Sequence, residues 1–133
     1  MGIFQLAAGS LFANRFEIQL AAGSGGMGTV YRAIDRYDGT IVALKLLHLG
    51  KNDSGERFER EARISASIES DHVVQVIQTG IDPRLGLPFI AMELLRGEEV
   101  AKALRRVGRF APPDVVTVLH QASLALDKTH RSN

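Results

Sequence analysis

The segment "AAGSGGMGTVYRA", residues 21–33, holds four glycines and no proline, then passes directly into a β-rich run. Glycine loses more conformational freedom on folding than any other residue, so such a cluster beside a strand needs a physical reason. Two reasons exist: a backbone that must turn tightly, or a bulky group that must lie directly against it.

The flanks show which elements the glycines join. Phe16, Ile18 and Leu20 alternate with Glu17 and Gln19, the pattern of a half-buried strand. After Gly28, "TVYRAID" is rich in β-branched and aromatic residues and predicts a second strand. Asp38-Gly39 predicts a hairpin into a third strand, "TIVALKLLH". The glycines thus fall at the tip of the first hairpin. Residues 54–68, "SGERFEREARISASI", have helical spacing. Glu56/Arg60 and Glu59/Arg63 suit a solvated face, and Phe58, Ala62, Ile64 and Ile68 an inward stripe. "HVVQVIQTGI" and "LPFIAMELL" predict strands four and five, joined by the turn-rich "DPRLG". From Glu98 the period is helical again, to about Val107 and then through "PPDVVTVLHQASLALDKTH", which opens on proline. The pattern predicts an α+β chain whose two regions meet near Leu95–Gly97.

Composition narrows the class. A length of 133 residues suits one domain or part of one, and 45% hydrophobic with 23% charged residues is globular. The net charge of +1 gives no reason to invoke nucleic acid or an anionic membrane. The "RRVGR" run, residues 105–109, reads as a solvated helix end. Without cysteine there are no disulfides and no thiolate-held metal, and the four histidines lack metal-ligand spacing. "MGIFQLAAGSLF" has no basic start and only short apolar runs, and Leu6 stands where a myristoylation signal has Ser or Thr. The expectation is a soluble, cytoplasmic chain with no membrane segment.

Gly23, Gly25 and Gly28 form G-x-G-x-x-G, which several unrelated sites share. The dinucleotide-binding form opens a helix and has an acid about 20 residues on. Here a strand follows, and position 48 is His48. Thr29 directly after Gly28 excludes a Walker loop, and the missing helix excludes a nucleophile elbow around Ser24. A glycine hairpin between strands is the setting of a phosphate-covering loop, which calls for a lysine on the third strand and a glutamate on the next helix. "VALK" offers Lys45, on the same strand face as Ala43. A strand lysine reaching solvent would look the same. Glu61 lies on the inward stripe of the helix; it suits either Lys45 or a surface pair with Arg57.

Together these segments resemble the N-terminal half of a serine/threonine protein kinase domain of the bacterial Hanks type. "GSGGMGTVYRA" is similar to its glycine-rich loop and "IVALKLL" to its third strand. "RFEREARISASIESDHVVQV" resembles its αC helix and fourth strand, "LPFIAMELLRGEEV" its fifth strand and hinge, and "LALDKTH" the end of αE. The resemblance implies an N-lobe over 13–95, with a five-stranded antiparallel sheet plus αC. An N-terminal tail over 1–12 would precede it, and a hinge exit with αD and αE over 96–133 would follow. It further implies ATP as ligand. The loop Gly23, Ser24, Gly25, Gly26, Met27 and Gly28 would cover the phosphates, and Lys45, held by Glu61, would contact them. Ala22, Val30 and Ala43 would roof the adenine. Met92 fits the gatekeeper position and equally a plain core position, while the Glu93 carbonyl and Leu95 amide would meet the adenine edge.

Departures from the family pattern are visible too. Ala22 is smaller than the usual branched residue, and "SDHVV" lacks the usual proline and asparagine. No His-Arg-Asp or Asp-Phe-Gly occurs, and His130-Arg131 is followed by Ser132. The Mg²⁺ ligands of the family are therefore missing, and no metal-binding residue is assigned. The expectation is the ATP-binding portion of a kinase, truncated and inactive as it stands, its protein substrate belonging to the full-length parent. The stripe Val115, Leu119, Ala122 and Leu126 of the 112–131 helix would be exposed, or covered by another copy or a partner. Two other readings are a non-catalytic kinase-like interaction module and a small α+β domain whose glycines serve only a turn.

Overall fold

The computed structural model describes residues 5–25, 28–47, 60, 62–64 and 66–131. Its strands are β1 (Leu11–Phe12), β2 (Phe16–Gly25), β3 (Gly28–Asp35), β4 (Ile41–Leu47), β5 (Val76–Ile81) and β6 (Pro88–Glu93). They form one antiparallel sheet in the order β1-β2-β3-β4-β6-β5. A helix between β4 and β5, α1, is described at residues 60, 62–64 and 66. Two more follow the sheet, α2 (Val100–Val107) and α3 (Pro112–Arg131). The fold class is the one expected.

The alternation read from the sequence becomes the two faces of the sheet. Phe16, Ile18, Tyr31, Ala33, Val42, Leu44, Leu46, Phe89 and Ala91 pack into one buried cluster on one face. The β3–β4 turn is built as its sequence suggests: Gly39 takes φ 76°, and the Asp38 carboxylate accepts from Thr40 N (2.9 Å) and Oγ1 (2.7 Å). These bonds hold the Asp38 carboxyl below the usual carboxylate range. Helix α2 stops at Gly108, φ 81°, whose N–H donates to Leu104 O. Helix α3 carries Asp114 in its first turn and Lys128 and Arg131 in its last, charges that suit the helix dipole.

Three elements differ from the periodicity. The sheet has six strands, not five, because part of the expected 1–12 tail pairs with β2. Gly9 N donates to Ile18 O (2.7 Å) and Ile18 N to Ser10 O (2.9 Å), and Phe12 is buried edge-on against Phe89, ring centroids 5.4 Å apart. A two-residue strand has no period to read. β2 runs on through Gly25, with register shifts between Ile18 and Leu20 and between Ala21 and Gly23, so its alternation breaks before the strand does. β5 begins only at Val76. Ahead of it His72 N donates to Ser70 Oγ (3.2 Å) and Val73 N to Ser70 O (3.2 Å), a local turn that removes the first half of the apolar run from the ladder.

The sheet edges β1 and β5 are separated by four strands, yet side chains join them. The turn after β1 puts Ala13 and Asn14 at φ 50° and 55°. Ala13 N then donates to Asp82 Oδ2 (2.7 Å), just past β5. Asp82, fully buried, also accepts from Arg84 N (3.0 Å) and Leu85 N (2.7 Å), and Arg84 Nη2 donates to Leu11 O (2.7 Å). Arg15 forks onto Asp35 (2.8 and 2.6 Å), donates to the Gln78 side chain of β5, and stacks over the Tyr37 ring at 4.3 Å. The sheet is thereby curled, with the aromatic cluster inside.

Asp82→Ala strands three backbone donors in a buried site and should lower stability by about 3 kcal/mol, read from the urea midpoint. The Arg15 fork holds the Asp35 carboxyl below the usual range. A carboxyl whose folded pKa is depressed contributes fully above its unfolded value, about pH 4, and loses that contribution as pH falls below it. The urea midpoint should therefore drop between pH 5 and pH 3, and drop less steeply in Asp35→Asn.

Candidate functional site

Directly opposed residues of an antiparallel ladder share a face. One row runs Gly23, Val30, Lys45, Ile90, and the next Leu20, Arg32, Ala43, Met92. Both lie on the face opposite the aromatic cluster, because Tyr31, Leu44, Leu46 and Ala91 between them point into that cluster. The ladder thus brings Val30, Ala43, Lys45 and Met92 together. Met92 is half-buried and lies outside the core cluster. Lys45 is the half-buried cation of an otherwise apolar row. Among the described residues no carboxylate comes within ion-pair distance of it. Glu61, Gly26 and Met27 lie outside the described residues.

The glycines answer the two reasons for their presence differently. Gly28 takes φ 144°, and a Cβ there would sit 2.0 Å from the Leu46 carbonyl oxygen. That glycine is required by the β3–β4 packing itself. A Cβ on Gly23 would meet nothing within 4 Å. No neighbouring group demands a glycine at that position, which leaves bare backbone at the end of the Lys45 row. Gly25 pairs with Gly28 and Ser24 with Thr29; Ser24 is exposed, as is Ala22 within the second register shift.

At the far end of β6 the chain is anchored before it leaves the sheet. Glu93 N donates to Gln75 O (3.0 Å), and the Glu93 Oε1 accepts from Gln75 N (2.8 Å). Leu95 is exposed. Arg32 was not singled out by the motif, although the period of two that selects Val30 places it on the same face. Gln75 carried no sequence signal, since its role depends on which strand lies beside it. Among the described residues no group of His, Asp or Glu side chains is placed to hold a metal. Neither α2 nor α3 buries a side chain, and Val115, Leu119, Ala122 and Leu126 are exposed. The assembled face offers an apolar surface, two half-buried cations, Lys45 and Arg32, and a bare glycine backbone, which suits a ligand with a flat apolar part and an anionic tail.

The sequence pattern of the protein kinase domain matches residues 16–133. The chain is 38% identical over 119 residues to serine/threonine-protein kinase PknE of Mycobacterium bovis, covering 86% of this chain and 20% of that protein. It is 38% identical over 130 residues to serine/threonine-protein kinase A of Synechocystis sp., covering 91% of this chain and 24% of that protein. Among solved structures, the Mycobacterium tuberculosis PknI kinase domain superposes with a TM-score of 0.84 at 26% identity, over 96% of this chain and 53% of that one. The chain therefore spans about a fifth to a quarter of these curated relatives and about half of the solved domain.

Gly28→Ala should be strongly destabilising, by about 2 kcal/mol or more, because both its φ and the Leu46 carbonyl oppose a side chain. Gly23→Ala should stay within about 1 kcal/mol of the parent. Thermal unfolding of the two variants beside the parent chain checks the contrast.

Proposed function

Because the chain belongs to the protein kinase domain family, we propose that its Lys45 face and glycine hairpin bind ATP and form the nucleotide-clamping half of a serine/threonine protein kinase. The observation that carries this reading is the single row Gly23, Val30, Lys45, with open backbone at one end and a half-buried cation within it that has no carboxylate partner among the described residues. In this assignment the purine lies against Ala22, Val30 and Ala43, beside Met92. The Glu93 carbonyl and Leu95 amide meet the purine edge. The backbone N–H groups from Gly23 to Gly28 face the triphosphate, and Lys45 neutralises its α- and β-phosphates. Glu61, an acid that the sequence spacing puts on an inward helical stripe, is proposed to hold Lys45.

Transfer of the γ-phosphoryl group to a protein serine or threonine is proposed for the whole domain. The sequence contains neither His-Arg-Asp nor Asp-Phe-Gly, so these 133 residues bind and orient ATP and supply no group to position the attacking hydroxyl. Mg²⁺ accompanies ATP in such enzymes; among the described residues no group of three or more His, Asp or Glu side chains is placed to hold a metal, and no step here runs through it. No helix among the described residues is long and apolar enough to cross a membrane. A cytoplasmic location and a protein substrate are part of the proposal. A second reading, a non-catalytic interaction module, draws support from the exposed apolar face of α3.

Thermal unfolding of the chain with increasing MgATP separates the readings. A ligand that binds only the folded state stabilises it by about 2.7 kcal/mol at a hundred times its dissociation constant. A saturable rise in midpoint, lost in Lys45→Met, is the expected result. A folded chain whose midpoint does not move would overturn the ATP site and leave the interaction module.

A further inference from the structure

Among the described residues two arginines are half-buried, Arg15 and Arg32. Arg15 is fully engaged, forked onto Asp35 and bonded to Gln78. The exposed Arg36, Arg84, Arg106 and Arg131 each have an acceptor as well, in Glu17, Leu11 O, Glu98 and Asp127. Arg32 makes no hydrogen bond or ion pair among the described residues. Water satisfies an exposed guanidinium, and half-burial removes part of that water. The arginine with a real need of a partner is thus one without it.

Its position says what the partner would be. Arg32 stands on the outer face in the row Leu20, Arg32, Ala43, Met92, opposite Ala43 and two residues along β3 from Val30. Opposed side chains of a ladder start about 5 Å apart, and same-face neighbours along a strand about 7 Å apart. A long side chain at Arg32 therefore reaches the surface over both residues assigned to the purine. On the β2 side, the register shift between Ile18 and Leu20 leaves Gln19 as the extra residue of the strand. Its Oε1 is buried with no hydrogen-bond partner, so it does not hold the guanidinium. Leu20 is 51% exposed, and Ala22, within the next shift, is exposed and short. The roof is thin on this side, and of these side chains Arg32 is the one long enough to complete it. Lys45 stands one row nearer the hairpin tip, where the triphosphate accounts for it, which leaves Arg32 to the base. A guanidinium is planar and weakly hydrated, and it stacks on aromatic faces. We propose that Arg32 lies flat against the purine of the bound nucleotide and makes the site select a two-ring base over a one-ring base. This rests on the ATP reading and adds to it a residue outside the glycine motif.

The test compares the dissociation constants of the whole chain for ATP, adenosine and CTP, each taken from the rise of the thermal midpoint with ligand concentration. Arg32→Ala should weaken ATP and adenosine by the same factor, about fivefold, the size of a cation–π contact. It should weaken CTP less, so that the ratio of ATP to CTP affinity falls. Arg32→Lys should recover part of the loss, since an ammonium keeps the charge and not the plane. Lys45→Met has a different signature, a larger loss for ATP than for adenosine. Arg109→Ala, exposed between α2 and α3, should change none of the three constants. An Arg32 that serves packing alone would lower the ligand-free midpoint and leave the ratio of ATP to CTP affinity where it was. The proposal is overturned by that outcome, by an Arg32→Ala chain that binds adenosine as the parent does, or by one that loses ATP and CTP equally. A parent chain that binds neither ATP nor adenosine overturns the ATP reading and this proposal with it. A parent that binds both, beside an Arg32→Ala chain with unaltered constants, overturns this proposal alone.

Discussion

A buried carboxylate that bonds across the sheet governs the geometry of everything else. Asp82 accepts from the turn that follows it and from Ala13 N, four strands away by sheet order. An open antiparallel sheet of this length, free at both edges, would have two solvated faces. Joining the edges through Asp82, Arg84 and Arg15 encloses one face and leaves the other outside. The aromatic contacts among Phe12, Phe16 and Phe89 exist only because the edges meet. The outer face lies outside that cluster, and a half-buried lysine can stand on it beside buried Ala43 without interrupting the aromatic packing.

The glycine cluster shows why one residue type in one motif need not have one explanation. Gly28 is demanded by the fold: the Leu46 carbonyl occupies the space a side chain would need. A side chain on Gly23 would meet nothing within 4 Å among the described residues. The first of these is a close backbone approach between β3 and β4. The second sits at a register shift with open space beside it, room that the proposed ligand would use. A sequence pattern gives both glycines equal weight, and the Cβ geometry separates them.

What the sequence made legible follows from how many residues each element devotes to its period. β3 and β4 alternate over seven or eight residues, and their face assignments, including Ala43 with Lys45, came out as read. The 20-residue helix α3 was likewise plain. β1 has two residues and no period, and its strand character depends on β2 lying beside it. The clasp is also non-local: Asp82 and Ala13 are 69 residues apart, and neither has a local pattern that names the other. Ser70 shortened β5 through a side-chain bond that competes with the ladder, a choice that apolar content cannot register. At the site, spacing could nominate Lys45 and the glycines, and the same period of two reaches Arg32, but Gln75 became visible only through register.

Glu93 fixes the point where the chain leaves the sheet. Its backbone N–H and its carboxylate both bond to Gln75, so the end of β6 and the loop entering β5 are tied at two points. A tie at two points resists the rotation that a single hydrogen bond would allow. The carbonyl proposed to meet the purine edge is thereby held in line with Met92 and the Lys45 face beside it.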